Sequence, residues 1–195
     1  MNKENHNFKE KLIISATNFA REVTNVDPGL WVFINNGNIF KSINHSGLFE
    51  KDTFVIRYNR DWIKIASEEQ IIKTAFHETF HAVQQQALIG RRLGLKSDIF
   101  TEDELNTLKH EFKDENYDDS IDTWHTHLSE QQAETFAAYL FERFKQVCCT
   151  LKYVKVLRTH YSLNSPCLSD LNQRHKKRTP KGSPIYSYLR KVGIN

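Results

Sequence analysis

His77-Glu78-Thr79-Phe80-His81 sets two imidazoles four residues apart with a carboxylate beside the first, the HExxH spacing. On a helix of about 3.6 residues per turn His77 and His81 project from nearly one face, so both rings reach a single ion between that helix and another element. Two such histidines are a natural zinc pair, and one zinc ion per chain is the expected cofactor. Glu78 lies a step round from the pair, where it reaches a water on the metal without ligating it. That is the position of a general base acting on a water whose pKa zinc has lowered toward neutrality.

The pair needs further ligands. A helix predicted over Ser129 to Val147 offers them, its core side marked by Leu128, Ala133, Phe136, Ala137, Leu140, Phe141 and Phe144. Glu130 and Glu134 share that side, and an inward carboxylate without a partner is costly. A catalytic zinc keeps three protein ligands and one open position, so one Glu is expected on the ion while the other hydrogen-bonds a ligating histidine. His110, His125 and His127 compete for the third position, His127 most strongly because it stands three residues before Glu130.

His77-Glu78-x-x-His81 followed by Glu130-x-x-Ala133-Glu134-x-Phe136-Ala137 resembles the gluzincin branch of HExxH metallopeptidases, and within it the small ImmA/IrrE-type proteins. The likeness covers about residues 53 to 142. It implies an α+β zincin-like fold, in which a small sheet packs against the HExxH helix and a second, ligand-bearing helix. It also implies that Glu130 is the third zinc ligand, that Glu134 supports the site from outside the ligand set, and that the substrate is a protein or peptide, narrowly chosen. Glu134 stands where Asp or Asn is usual, which keeps Glu130 and Glu134 in competition for the metal. Metzincins are excluded, since Gln84 occupies the position where that class needs Gly. Peptide deformylases take a Cys upstream of HExxH, and all three Cys here lie downstream.

The elements that must position these groups can be read in order. Phe8, Leu12, Ile13, Ala16, Phe19, Ala20 and Val23 predict an amphipathic helix over residues 6 to 24, stopped by Asp27-Pro28-Gly29. Leu30 to Ile34 is continuously apolar and reads as a strand covered on both faces. A short strand around Ile39 to Lys41 and another over Thr53 to Tyr58 complete a small sheet, with the second offering an edge to a substrate strand. Ser67-Glu68-Glu69-Gln70 is a capping box that starts the HExxH helix, expected to be apolar on more than one side until about Gly90. Thr101-Glu102-Asp103-Glu104 is a second one, opening a helix with Leu105, Leu108 and Phe112 inward. Gln84, one turn past His81, could orient a ligand but reads as exposed, and Tyr117, His160 and Tyr161 are candidate oxyanion donors.

Charge divides the chain. Residues 151 to 195 hold ten Lys/Arg against Asp170 alone, whereas residues 1 to 150 carry a net charge of −6. Two parts are therefore expected, a metallopeptidase domain over 1–147 and a basic extension over 148–195. Nine carboxylates between Glu102 and Asp122 read as a solvated face. Arg174-His175-Lys176-Lys177-Arg178 could meet nucleic acid but has few interleaved aromatics, so a self-docked or solvated tail is preferred. No apolar run is long enough for a membrane span, residues 1 to 10 are polar, and three Cys do not make a disulfide framework. A cytoplasmic, membrane-free protein follows as the expectation. The rival from another class is a non-catalytic module in which zinc stabilises the fold while charged segments bind a protein regulator or nucleic acid.

Overall fold

Helix α3 (Glu68–Arg92) is the axis of the fold, and its ends are set by local chemistry. Ser67 Oγ accepts from Gln70 N at 3.2 Å while Gln70 Oε1 accepts from Ser67 N at 2.8 Å, so the expected capping box closes. At the other end Leu95 N donates to Gly90 O at 2.9 Å and Gly94 N to Arg91 O at 3.0 Å. This terminating turn needs a residue in the left-handed region, supplied by Gly94 at φ +76°. The computed structural model describes residues 3–113 and 126–150. Tyr117, His125, His160, Tyr161, Cys167 and the basic segment Arg174 to Arg178 lie outside them, as does the stretch Leu151 to Leu163.

Around α3 the architecture is α+β. Helix α1 (Lys3–Thr24) packs along it, burying Ile13, Ala16 and Ala20 and setting Phe19 6.0 Å from Phe76, centroid to centroid. A three-stranded sheet has the order β1-β3-β2, with β1 (Trp31–Asn35) parallel and β2 (Gly47–Glu50) antiparallel to the central β3 (Val55–Asn59). Its inner face carries the fully buried Ile56 and Tyr58. Thr17 Oγ1 donates its proton to Ile13 O, so the 2.8 Å contact between Thr17 Oγ1 and the Tyr58 hydroxyl has Tyr58 as donor.

Three expectations about the sheet need correction. β1 is not covered on both faces: it is an edge strand, and Trp31 and Phe33 are 64% and 42% exposed on the outer face, stacked 6.3 Å apart. A continuous apolar run marks a doubly covered strand only when the strand is central. The stretch around Ile39 to Lys41 is not a strand; Gly37–Ile39 is a short 3-10 helix. The edge beside the HExxH helix belongs to β2, because β3 is paired on both sides. Gly47 lets that strand lie close to its neighbours, since a Cβ there would stand 3.0 Å from Tyr58 Cδ1 and 3.3 Å from Glu78 Cγ.

Asn59 joins sheet to helix. Its Oδ1 accepts from Asp61 N and Trp62 N at 3.0 and 3.4 Å and so caps α2 (Arg60–Ile65), while its Nδ2 donates to His45 O at 2.8 Å. The second capping box also forms and opens α4 (Glu102–Glu111), with Leu105 and Leu108 buried. Helix α5 (Leu128–Thr150) follows. Chain contacts divide the molecule into two units, Met1–Phe141 and Glu142–Asn195. The first holds every element named above except the end of α5. In the second, the described residues continue α5, where Lys145 pairs with Glu142 at 2.7 Å. Among the described residues no helix is long and apolar enough to cross a membrane.

Candidate metal centre

Helices α3 and α5 are pressed together by Phe80 and Phe136, both about 1% exposed and stacked 4.6 Å apart. One turn back from this contact the polar groups meet. His77 Nε2 lies 3.0 Å from His81 Nε2 and 3.1 Å from Glu130 Oε2, and His81 Nε2 lies 3.4 Å from Glu130 Oε1. A tetrahedral ion with bonds of about 2.0–2.1 Å holds its ligands about 3.3–3.4 Å apart, so this donor set has the size and chemistry of a zinc site. His77, His81 and Glu130 are the group among the described residues that could hold a metal ion.

Electrostatics describe the same cluster without a metal. Burial pulls the His77 pKa down, but the carboxylates of Glu130 and then Glu134 beside the ring, with the charge of Glu78, outweigh it and push the ring up to about 10. Burial likewise raises Glu130, yet the charge of His81 and hydrogen bonds from both histidines hold it well below the usual carboxylate range. Glu78 goes the other way: it is buried, and loss of solvent raises its pKa against the opposing pull of His77 and His81. Of three carboxylates at one site, two are held as anions and one is held ready to take a proton.

Glu134 does not point inward as Glu130 does. Its side chain is 64% exposed and sits at the rim, with Oε1 3.5 Å from His77 Nδ1. Four residues turn a helix through about 400° and advance it about 6 Å, which carries Glu134 past the cluster and round toward solvent. His77 Nδ1 is a buried nitrogen lacking a hydrogen bond, and Glu134 is the carboxylate facing it. Of the histidine rivals, His110 is exposed on α4, and His127 has its Nδ1 3.8 Å from Glu111 Oε1, so neither belongs to the cluster.

Two residues depart from the sequence reading. Gln84 is not exposed: it is 0% accessible, and its Oε1 lies 2.9 Å from His81 Nδ1. Glu111, taken as part of a solvated acidic face, is buried and accepts from Leu128 N and Ser129 N at 2.7 and 2.9 Å. It caps α5 at the turn that carries Glu130. The partners of Glu111 are not local in sequence, so periodicity could not reveal them, whereas Gln84 carried a signal in its place one turn beyond His81.

A cavity of about 1300 Å³ opens beside the cluster, walled by β2 and the loop before it, by Phe112, and by His77, Glu78 and Glu130. His45 lines it as well, its pKa held below the ordinary value by burial. Lys51, at the turn after β2, donates to Phe112 O and so ties this wall to the end of α4. No protein-family model, curated protein or solved structure matches the chain significantly.

Proposed function

We propose that the chain is a zinc-dependent peptidase of gluzincin type, similar to the ImmA/IrrE group, acting on a protein or peptide. The observation that carries this is the mutual spacing of the His77, His81 and Glu130 donor atoms, with Glu78 buried beside them at the wall of an open cavity. The donor set fits zinc, and His77, His81 and Glu130 would hold it. When bound, zinc supplies Lewis acidity toward a carbonyl and makes water acidic enough to act as a nucleophile near neutrality.

The remaining work falls to side chains of this protein. Glu78 takes a proton from the attacking water and returns it to the leaving amine, and its raised pKa suits a group that must do both. Glu134, facing His77 Nδ1, orients that ring. β2 is an edge strand on the cavity wall, so its backbone suits an extended peptide. Three donors rather than four among the described residues favour catalysis over a purely structural metal.

The test is cleavage of an unstructured protein or peptide mixture by the zinc-reconstituted chain. Cleavage should vanish with a chelator, return with zinc, and be lost in Glu78→Gln. Equal cleavage by wild type and Glu78→Gln would remove Glu78 from its role, and absence of any cleavage would count against the peptidase reading.

A further inference from the structure

Gln84 sits where the two ligand-bearing helices meet, and each polar atom of its amide is engaged. Oε1 lies 2.9 Å from His81 Nδ1, while Nε2 donates to Ser129 O at 3.0 Å and to Gln132 Oε1 at 3.1 Å. Gln132 in turn donates from Nε2 to Glu104 Oε1 at 3.0 Å. The donor and acceptor roles along this line are fixed at its ends. A backbone carbonyl and an ionised carboxylate can only accept. Ser129 O therefore requires the amide nitrogen of Gln84, and Glu104 requires that of Gln132, which turns the Gln132 oxygen toward Gln84. The Gln84 oxygen is left facing His81, and an oxygen there needs a proton on Nδ1.

We propose that Gln84 is a positioning residue, the last link of an amide relay from Glu104 through Gln132 that keeps a proton on His81 Nδ1 and so turns Nε2 to the cluster. Nε2 is then the ring nitrogen at the point shared with His77 Nε2 and Glu130. The reversed amide would set its oxygen against Ser129 O and Gln132 Oε1 and would demand a bare Nδ1. Burial makes the choice decisive, because an unpaired amide or ring nitrogen at this buried site has no water to turn to. The relay also reaches beyond the site. Glu104 Oε2 accepts from Thr101 N at 2.8 Å, so the carboxylate that caps α4 is the one that anchors the relay. Ser129 precedes Glu130, so one amide fixes the ring of one ligand and the backbone beside another.

This inference rests on the zinc reading only for what it says about zinc affinity; the Nδ1 proton is a property of the metal-free chain. Long-range proton–nitrogen NMR of the metal-free, full-length protein at about pH 8 reads it directly. The expected spectrum has His81 protonated on Nδ1, and Gln84→Leu should lose that preference. A bare Nδ1 on His81 in the unaltered chain overturns the proposal. Zinc titration supplies the second readout: Gln84→Leu should bind zinc about 10- to 100-fold more weakly. Gln132→Leu, which leaves the Ser129 link in place, should show a smaller loss. Wild-type affinity and an unchanged His81 tautomer in Gln84→Leu overturn the relay and leave the peptidase reading intact. Should Gln84→Leu fail to fold, the wild-type spectrum and the Gln132→Leu titration still decide. A wild-type chain that takes up no zinc sinks the peptidase reading, while its spectrum still judges the relay.

Discussion

The two helices that meet at the cluster contribute unequally. Helix α3 is buried around most of its circumference and brings His77, Glu78, His81 and Gln84 to one region within two turns. Helix α5 is buried on one side only, and of its two acids Glu130 enters the cluster while Glu134 stays 64% exposed at the rim. Polar groups in a buried helix must find partners or lose solvation without return. The partners found here are one another, together with α5 and, through it, α4. An exposed acid carries no such obligation, and its contribution is correspondingly smaller.

The largest effect expected from breaking this asymmetry is at Glu78. Glu78→Gln removes the proton acceptor while keeping shape, so peptide cleavage should fall about 10²- to 10⁴-fold with zinc content unchanged. Turnover and elemental analysis on the same preparation check it. Next is the contact that presses the helices together. Phe136→Ala empties a stacked, buried position against Phe80 and should cost about 3–5 kcal/mol of stability, read from denaturant unfolding.

A gentler change acts on the wall opposite α3. Gly47→Ala puts a Cβ 3.3 Å from Glu78 Cγ and 3.0 Å from the Tyr58 ring, so strand and base must shift by a few tenths of an ångström. Cleavage should drop about tenfold or more while zinc affinity is kept, since misplacing a reacting group by about 1 Å can cost 100-fold. Wild-type turnover in Gly47→Ala would show that β2 does not set the position of Glu78.

Acidity sharpens the same contrast in the metal-free chain. The His77 pKa is raised from 6.5 to about 10, so its contribution to stability is whole below about pH 6.5 and disappears as pH rises toward 10. Glu130 is depressed, so its contribution is present above its ordinary 4.5 and is lost as pH falls. Metal-free stability should therefore peak between those two values and decline on the alkaline side, which thermal melts across pH will check. His77→Gln should flatten the alkaline decline.

The starts of α3 and α4 were legible because their signals are local. Ser67 with Gln70, and Thr101 with Glu104, are written within four residues, and both boxes form. The approach of Glu130 to the two histidines agrees with its inward spacing on α5. What stayed hidden depends on distant chain. Whether the apolar Leu30 to Ile34 run would be central or at an edge depends on strand order, which no periodicity contains. The burial of Gln84 depends on Ser129 and Gln132, more than forty residues on. Glu111 reads as one acid among nine until the start of α5 is seen to rest on it. In each case the missing information was a long-range partner.

The central claim is that the cluster is a zinc site completed by Glu130 and only supported by Glu134. Zinc titration of the metal-free wild type beside Glu130→Ala and Glu134→Ala tests it most directly. The account predicts about one zinc per chain, a severe loss of affinity in Glu130→Ala, and a loss of about 10- to 100-fold in Glu134→Ala, the usual cost of removing a group that only supports a ligand. No zinc on the wild type, or a Glu134→Ala chain that loses the metal while Glu130→Ala keeps it, would contradict that claim.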